Sequence, residues 1–301
     1  MKKTGLIVFL SRFSSGYTGI GHCLRFLAFP SLLVLLGTLT TCPAESQTPV
    51  PVISSGRVNT LGKFSFQYGS IEARIKMPAT ANGLWPAFWL LGADHETVGW
   101  PGCGEIDIVE MGGDKGITKR QQATLFDQSC HWGSNTPGGL FSYTMGFVAP
   151  ASLQNGFHLY RMDWNASRIS MFVDGLPYFV MDINDAVSAY FQKPFSILLN
   201  LAVGGDYMGI YNADKITALN KGNNFSAAMY IDYVRVKDEQ GNITWNDEFN
   251  GPLLDESKWN IEVNDSGGGN HELQSYRRGN VSIGNAPGTN DSCLIITAKR
   301  E

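Results

Sequence analysis

The sequence has 301 residues, a formal net charge of −4, 43% hydrophobic residues and 17% charged residues. This length suits one large all-β domain, since such domains often have about 200–250 residues. The Lys and Arg residues are scattered among acidic residues and form no basic stripe, which argues against a nucleic-acid partner. The 34 glycines and the aromatic content fit many short strands joined by tight turns.

Residues 1–50 differ in composition from the rest. Four basic residues precede an apolar run from Phe26 to Leu39, and small and polar residues follow it. We interpret this segment as an export signal or leader, so that residues 51–301 form a secreted domain. A membrane anchor is an alternative, although the run is shorter than the ~20 residues of a spanning helix and Pro30 interrupts it. Lipidation at Cys42, within a loose match to a bacterial lipobox, would instead place the protein at the cell surface.

Period-two alternation predicts strand after strand from Gly56 onward. Residues 165–168 are predicted to be the turn of a hairpin, and the continuous apolar run 195–203 a strand in the middle of the molecule. No segment shows a convincing helical period, an internal repeat or a low-complexity linker. The pattern therefore predicts a single all-β domain, a β-sandwich of the jelly-roll type. The predicted strands are 64–68, 71–75, 159–164, 169–173, 195–203, 230–236, 243–249, 259–263 and 294–298.

The segment from Glu105 to Glu110 carries three acidic residues. On a regular strand Glu105 and Asp107 share one face, whereas Glu110 falls on the opposite face with the isoleucines. A β-bulge near Ile108–Val109 would shift the phase by one residue and return Glu110 to the face of Glu105, with Val109 buried. We therefore predict a bulged strand whose three carboxyl groups line one cleft.

Three crowded carboxyl groups suit glycoside hydrolysis. Like charges at close range raise at least one pKa, as a proton donor near neutral pH requires. A retaining glycosidase places two carboxyl groups ~5–5.5 Å apart, one as nucleophile and one as acid and then base. Without further context, a solvated acidic strand edge or a cation site explains the same residues equally well.

Several segments resemble one known family. Residues 105–110, with Trp100-Pro101 just before them, resemble the signature of glycoside hydrolase family 16. Within that family, the sequence resembles the laminarinase-type endo-β-1,3-glucanases best. The other matching segments are 83–89, 200–205, 232–236, 247–251 and 270–274. The resemblance implies a concanavalin A-like jelly roll that hydrolyses internal β-1,3-glucosidic bonds of β-glucans. It also implies that Glu105 is the nucleophile, Asp107 its assistant and Glu110 the general acid/base.

The same resemblance extends to binding residues. It places Trp85, Trp100 and His131 in the sugar subsites. The two tryptophans fit this role because indole rings suit the apolar faces of pyranose rings. Asn270 and Arg74 are predicted to hydrogen-bond sugar hydroxyl groups. Phe88 and Trp89 are instead predicted to pack in the core.

A structural calcium ion is implied by the resemblance, held in part by Asp232. Catalysis itself is expected to need no cofactor. The expected partner is a β-glucan polysaccharide or oligosaccharide. No protein partner is implied, and we expect a monomer.

The order of the matching segments differs from that of the family. The part resembling Trp245–Glu301 normally precedes the part that begins at Ser55, so the chain resembles a circular permutant. Residues 237–242 would then be a new connection between the old ends. This hypothesis predicts that the strands containing Val234 and Thr244 are neighbours. A gene-assembly artefact or a remnant of two tandem modules are the alternatives.

Two segments depart from the family pattern, namely Gln122–Trp132, which contains Phe126-Asp127-Gln128, and Asp206–Gly209. If both border the cleft, the linkage preference is open. The alternatives are a β-1,3-1,4-glucanase or transglycosylase of the same fold, and a non-catalytic glycan-binding module.

The cysteines beyond the leader are odd in number, at positions 103, 130 and 293. A disulfide between Cys103 and Cys130 and small buried thiols are both open interpretations.

Overall fold

Two stacked β-sheets account for most of residues 52–301, the part of the chain that this computed structural model describes. The predicted leader, residues 1–50 with Cys42, lies outside the described residues. The described residues all belong to one compact unit. Among the described residues, no helix has the length and apolar character needed to cross a bilayer.

The described residues contain seventeen strands and a few short helices. The strands are β1 (Ile53–Ser55), β2 (Arg57–Asn59), β3 (Gly69–Lys76), β4 (Leu84–Gly92), β5 (Glu105–Met111), β6 (Leu125–Gly133), β7 (Leu140–Val148), β8 (His158–Asn165), β9 (Arg168–Val173), β10 (Leu176–Asp182), β11 (Phe195–Val203), β12 (Ser226–Lys237), β13 (Ile243–Asp247), β14 (Asn260–Ile261), β15 (Ser275–Tyr276), β16 (Val281–Asn285) and β17 (Ser292–Arg300). The α-helices are α1 (His95–Val98), α2 (Asp114–Lys119) and α3 (Ser188–Phe191), and 3-10 turns lie at Ala213–Lys215, Lys221–Asn223 and Arg278–Asn280.

The strands form two sheets, which we call the cleft sheet and the outer sheet. The cleft sheet has the order β14-β2-β11-β4-β5-β6-β7. The outer sheet has the order β10-β9-β8-β3-β12-β17-β1-β15, with β13 paired to β12 and β16 to β17. Neighbouring strands are antiparallel apart from β1 and β15, which are parallel. The predicted all-β jelly-roll sandwich is confirmed.

The core lies between the sheets, where apolar side chains alternate inward from both. All nine residues of β11 are buried, as predicted for a strand with neighbours on both sides. Trp164 of the outer sheet packs edge-on against Phe66 and Phe195, with ring centroids 5.8 and 5.6 Å away. Such edge-to-face contacts suit the ring quadrupoles and fix the spacing of the sheets.

Two predictions about local structure have different outcomes. The hairpin at 165–168 is confirmed, since Asn165 pairs with Arg168 where β8 turns into β9. The strand predicted at 64–68 is wrong, because Phe66 makes only an isolated bridge with Phe195. The chain turns just before it, where the Phe64 amide donates to the Thr60 carbonyl. Its alternating rings pack on the core from a loop.

All three cysteines of the described residues are free and buried. Of the two interpretations left open, the structure supports buried thiols. Burial raises the pKa of Cys103 to about 11, as expected for a small apolar side chain rather than a reactive one.

Residues 243–301 are integral to both sheets. Strand β17 lies between β12 and β1 in the outer sheet, and β14 pairs with β2 in the cleft sheet. The predicted neighbours are confirmed: β12 and β13 pair antiparallel, with Val234 opposite Asp247. Residues 238–242 form the turn, in which Asp238 Oδ1 accepts hydrogen bonds from two backbone amides. The permuted order remains a hypothesis.

The two ends that this hypothesis would reconnect are adjacent, because the Glu301 amide donates to the Val52 carbonyl at 2.9 Å. We expect a reordered chain, residues 243–301 followed by an Asn-Gly link and residues 52–237, to fold, since two-residue loops suit antiparallel neighbours. Circular dichroism should show the original spectrum and one cooperative melt. A second reordering that opens the chain inside β11 is the control and should not fold. An insoluble first chain would contradict the hypothesis.

Candidate active site

The strand β5 contains the predicted bulge. On its β4 side, Trp89 is opposite Asp107 and Phe88 is opposite Val109, so Ile108 has no partner. On its β6 side the register also shifts between Asp107 and Glu110. One extra residue therefore lies between Glu105 and Glu110, and it brings their side chains to the same face of the sheet.

This phase shift sorts the side chains of β5 as predicted. Three apolar side chains of the strand, Ile106, Ile108 and Val109, have no solvent exposure and belong to the core. Glu105, Asp107 and Glu110 all line a cleft of about 800 Å³ on the other face of the sheet. The predicted arrangement of the three carboxyl groups is confirmed.

Strand β6 supplies a second row of polar side chains beside the acids. Across the ladder, His131 is opposite Glu105, Ser129 is opposite Asp107 and Asp127 is opposite Glu110. All three residues line the cleft. Since side chains directly opposite one another on one face are close neighbours, each acid has one polar partner from β6.

His131 lies between the acids and the edge strand β7. Its Nε2 is 3.2 Å from Asp107 Oδ2, and its Nδ1 is 2.7 Å from Ser142 Oγ. One ligand atom each from Glu105, Asp107 and His131 lies within 4.8 Å of the others. The three groups are thus close enough for their charges to interact strongly.

Tryptophans border the acids. The Trp85 indole donates to Glu110 Oε1 at 3.0 Å, and the Trp89 indole donates to Asn200 Oδ1 at 2.8 Å. Trp100 lies at the rim with 45% of its surface exposed. The cleft therefore offers ring faces and hydrogen-bonding groups on both sides of the carboxyl groups, which is the composition of a sugar-binding site.

Burial changes the acidity of all three carboxyl groups. It raises the pKa of Glu105 to about 8, and the neighbouring charge of Asp107 raises it further, while His131 opposes the change. Burial likewise raises the pKa of Asp107. It raises the pKa of Glu110 well above its usual value, with Asp107 and Glu105 adding to the effect. The cluster therefore keeps protons at neutral pH, as a site for general acid catalysis requires.

A comparison with known families identifies the fold and the cleft together. The family profile described as "Glycosyl hydrolases family 16" matches residues 39–235, which is more than half of the chain. The chain belongs to glycosyl hydrolase family 16. The family resemblance read from the sequence motifs is confirmed.

Individual relatives within family 16 are moderately similar. The chain is 35% identical over 188 residues to "Clotting factor G alpha subunit" of Tachypleus tridentatus, covering 61% of this chain and 24% of that protein. It is 33% identical over 202 residues to "Glucan endo-1,3-beta-glucosidase A1" of Niallia circulans, covering 62% and 26%. The chain thus spans about a quarter of the length of these two relatives.

A solved structure also matches. It is described as a GH16 protein of a Bacteroides ovatus mixed linkage glucan PUL in complex with a G4G4G3G product. The TM-score is 0.56 at 35% sequence identity, with coverage of 62% of this chain and 80% of that chain.

Four of the binding residues predicted from the family 16 motifs lie in the cleft: Trp85, Trp100, His131 and Asn270. Their roles toward a sugar remain predictions. The prediction for Arg74 is wrong. Arg74 belongs to β3 of the outer sheet, where its neighbours Ala73 and Ile75 point into the core, so its side chain faces away from the cleft.

With its present neighbours, the Asp232 carboxylate is not well placed to bind a calcium ion. Its Oδ2 accepts a hydrogen bond from Arg74 Nη1 at 2.7 Å, and this guanidinium already supplies a positive charge. Arg74 also lies 3.6 Å from Asp291. The structural calcium ion held in part by Asp232 stays a prediction, and no step of the chemistry below depends on it.

Sequence reasoning missed several residues that line the cleft. Arg57 lies beneath it, with its guanidinium 5.6 Å from the Trp89 ring centroid and 4.6 Å from that of Tyr276. Asn200 is the one polar residue in the second half of the apolar strand β11, and that isolated amide was an available signal. The core prediction holds for Phe88 but is wrong for Trp89, whose indole borders the cleft. The other missed lining residues include Asp114, Lys115, Gly268 and Glu272. The two segments that depart from the family pattern do border the cleft, through Asp127, Ser129, Asp206 and Tyr207.

Removing one carboxyl group should stabilise the protein at neutral pH. Below about pH 4 both the folded and the unfolded chain keep the Glu105 proton. Between there and about pH 8 only the folded chain keeps it, so the free energy of unfolding falls as pH rises. Glu105→Gln should therefore raise the Tm by several degrees at pH 8, since ~1 kcal/mol shifts Tm by about 2–4 °C, and have little effect at pH 4.

Thermal melts of the wild type and Glu105→Gln across this pH range test the expectation. Glu96→Gln, which replaces an exposed acid outside the cleft, is the matched control. A difference in Tm that is the same at pH 4 and pH 8 would contradict the crowding of the carboxyl groups.

Proposed function

We propose that the protein is a retaining endo-glycosidase that hydrolyses internal β-1,3-glucosidic bonds of laminarin-like β-glucans. The observation that carries the proposal is the bulge in β5, which brings Glu105, Asp107 and Glu110 to one face of the cleft. Retaining glycosidases act through two such carboxyl groups placed on either side of the scissile bond.

The reaction has two steps. In the first, a Glu105 oxygen bonds to the anomeric carbon while the glycosidic bond breaks and Glu110 gives its proton to the leaving oxygen. In the second, Glu110 takes a proton from water, the water oxygen bonds to the anomeric carbon, and Glu105 leaves as a carboxylate. Each step inverts the anomeric carbon, so the product retains the starting configuration.

The raised pKa of Glu110 supports its role as proton donor, whereas the raised pKa of Glu105 means that this group must first lose its proton. The raised pKa of Glu110 keeps it protonated near neutral pH, as the first step requires. Glu105 must be ionised to attack. Asp107 lies beside Glu105 on the same face of the cleft, so the two interacting carboxyl groups can share one proton, and Asp107 then stabilises the Glu105 carboxylate as it leaves.

The shape of the cleft favours cleavage inside a chain. A row of paired residues crosses six adjacent strands of the cleft sheet, from one side of the acids to the other. In order they are Arg57, Asn200, Ala87, Glu110, Asp127 and Gly146. With strands ~4.8 Å apart, the row extends well beyond one sugar on each side of Glu110. A long glycan lying across the strands would meet it continuously.

The charge of the cleft favours a neutral glycan. Seven carboxyl side chains line it, against one arginine, one lysine and one histidine. A sulfated or uronic-acid polymer would bring further negative charge into this surface, which is unfavourable at short range. A β-glucan carries no charge.

A β-1,3-1,4-glucanase is the second candidate, and the similarity to the Bacteroides ovatus protein favours it. A transglycosylase would use the same two carboxyl groups with a sugar in place of water. A non-catalytic glycan-binding module has no need for three crowded acids, whose burial is unfavourable.

We further propose that the protein is exported, since a β-glucan polymer is an extracellular substrate, and that it acts as a monomer. Residues 1–50 would direct export, either as a cleaved signal or through lipidation at Cys42. Mass spectrometry of the mature N-terminus in an expressing cell separates these two routes, and an unprocessed cytoplasmic chain would contradict both. Size-exclusion chromatography checks the monomer.

Substitution of the two glutamates tests the chemistry. Glu105→Gln should lower kcat on laminarin by at least ~10⁴-fold, because it removes the nucleophile but keeps the shape of the cleft. Reducing-end assays measure the loss, and laminarin binding should persist. Glu96→Gln should behave as wild type, and EDTA should have no effect. Unchanged hydrolysis by Glu105→Gln would overturn the assignment.

Glu110→Ala gives an independent test of the acid/base role. On an aryl β-glycoside of a short β-1,3-gluco-oligosaccharide, whose leaving group needs no proton, the first step should still proceed. Azide needs no general base, so it should attack the Glu105 ester, form a C–N bond and release the Glu105 carboxylate. We expect azide to restore turnover and to yield a β-glycosyl azide. A product of inverted configuration would contradict the two-step reaction.

Linkage preference is tested separately with laminarin and with lichenan. We expect kcat/KM to be at least ~10-fold higher on laminarin, the difference that about 1.4 kcal/mol of transition-state binding provides. A preference for lichenan would favour the second candidate without affecting the roles of Glu105 and Glu110.

A further inference from the structure

The bulge in β5 leaves one residue without a partner on either neighbouring strand. Ile108 is the extra residue, and no residue of β4 or β6 is in register with it. Its carbonyl oxygen accepts a hydrogen bond from the Tyr178 hydroxyl at 2.5 Å. Tyr178 belongs to β10 of the outer sheet, so this bond crosses the core.

Tyr178 is held firmly in this position. Its side chain is only 6% exposed, and its ring packs edge-on against Phe126, with centroids 4.9 Å apart. Phe147 of β7 contacts it from another side. Leaving a buried carbonyl without a hydrogen-bond donor lowers the stability of the fold, and Tyr178 provides a donor to the carbonyl of Ile108.

A second tyrosine approaches the same segment from the cleft. The Tyr207 hydroxyl lies 2.8 Å from the Glu110 carbonyl oxygen and 3.0 Å from Asp127 Oδ2. Its single proton cannot serve both acceptors fully. The Tyr207 hydroxyl therefore links the backbone of Glu110 on β5 to the Asp127 side chain on β6.

Tyr207 also supports the side chain of Glu110. Its ring stacks on Trp85 at 4.7 Å, and the Trp85 indole donates to Glu110 Oε1. The turn after β5 makes room for the ring, because a Cβ on Gly113 would lie 2.7 Å from it. Tyr207 thus contacts both the backbone of Glu110 and the group that orients its carboxyl.

We propose that Tyr178 and Tyr207 are positioning residues that hold the bulge from its core side and its cleft side, and thereby fix Glu110. The proposal rests on the proposed function in that Glu110 is taken as the acid/base.

Tyr160 provides a matched control. It is fully buried, and its ring also packs edge-on against Phe126. Its hydroxyl has no hydrogen-bond partner among the described residues. Tyr160→Phe therefore removes the same atom from the same core without freeing a carbonyl, and we expect an equal or slightly higher Tm.

The experiment compares Tyr178→Phe, Tyr207→Phe and Tyr160→Phe in the full chain. For Tyr178→Phe we expect a Tm lower by about 2–10 °C and a kcat on laminarin lower by about 10- to 100-fold, with KM nearly unchanged. For Tyr207→Phe, which keeps the stacked ring, we expect a kcat lower by about three- to tenfold. Tyr160→Phe should keep the wild-type kcat.

Two further readouts separate positioning from general damage. With the aryl glycoside, whose leaving group needs no proton from Glu110, Tyr178→Phe and Tyr207→Phe should release the aryl group in the first turnover at near the wild-type rate. Amide hydrogen exchange across residues 105–111 should be faster in both variants and unchanged in Tyr160→Phe. Kinetics and exchange equal to those of Tyr160→Phe would overturn the inference. A wild type that cleaves no glucan would overturn the proposed function instead, and the exchange data would still decide the inference.

Discussion

The active site depends on one extra residue in one strand. Glu105 and Glu110 are an odd number of positions apart, so on a regular strand one of them would enter a core filled by Ile106, Ile108 and Val109. An ionised carboxyl group there would be very unfavourable. The bulge at Ile108 removes this conflict, and the register of β6 then places Asp127, Ser129 and His131 beside the acids. Without the bulge, Glu110 would not face the cleft together with Glu105 and Asp107.

The bulge could be predicted from the sequence because it follows from alternation alone. Three acids and three apolar residues within the six positions from Glu105 to Glu110 admit one phase shift that keeps the acids out of the core. Alternation gives the face of a strand relative to the core, but it does not say which sheet the strand joins. That is why Arg74, which points away from the core as expected, lies on the outer sheet rather than in the cleft.

The contacts between the segments that form the site could not be predicted from the sequence, for a related reason. Asp127 and Tyr207 lie on different elements, and only the pairing of β5 with β6 and the loop after β11 brings them together. At Phe64–Tyr68 the alternation wrongly predicted a strand, because alternating aromatic residues on a loop can pack into the core without pairing with a neighbouring strand. Alternation within a segment is visible in the sequence, whereas contacts between segments depend on register and topology.

The cleft belongs to the whole sandwich rather than to one sheet or one part of the chain. Gly268, Asn270 and Glu272 line it from the segment beyond the family match, and Arg57 lies against Tyr276 of that segment. The outer sheet contributes through Tyr178, which reaches across the core to the bulge. The raised pKa of Glu105 predicts that the crowded carboxyl groups destabilise the fold as pH rises toward 8, so a rigid support is needed to keep them at one face. A sandwich supplies that support because its second sheet can donate a hydrogen bond to the bulged residue of the first sheet.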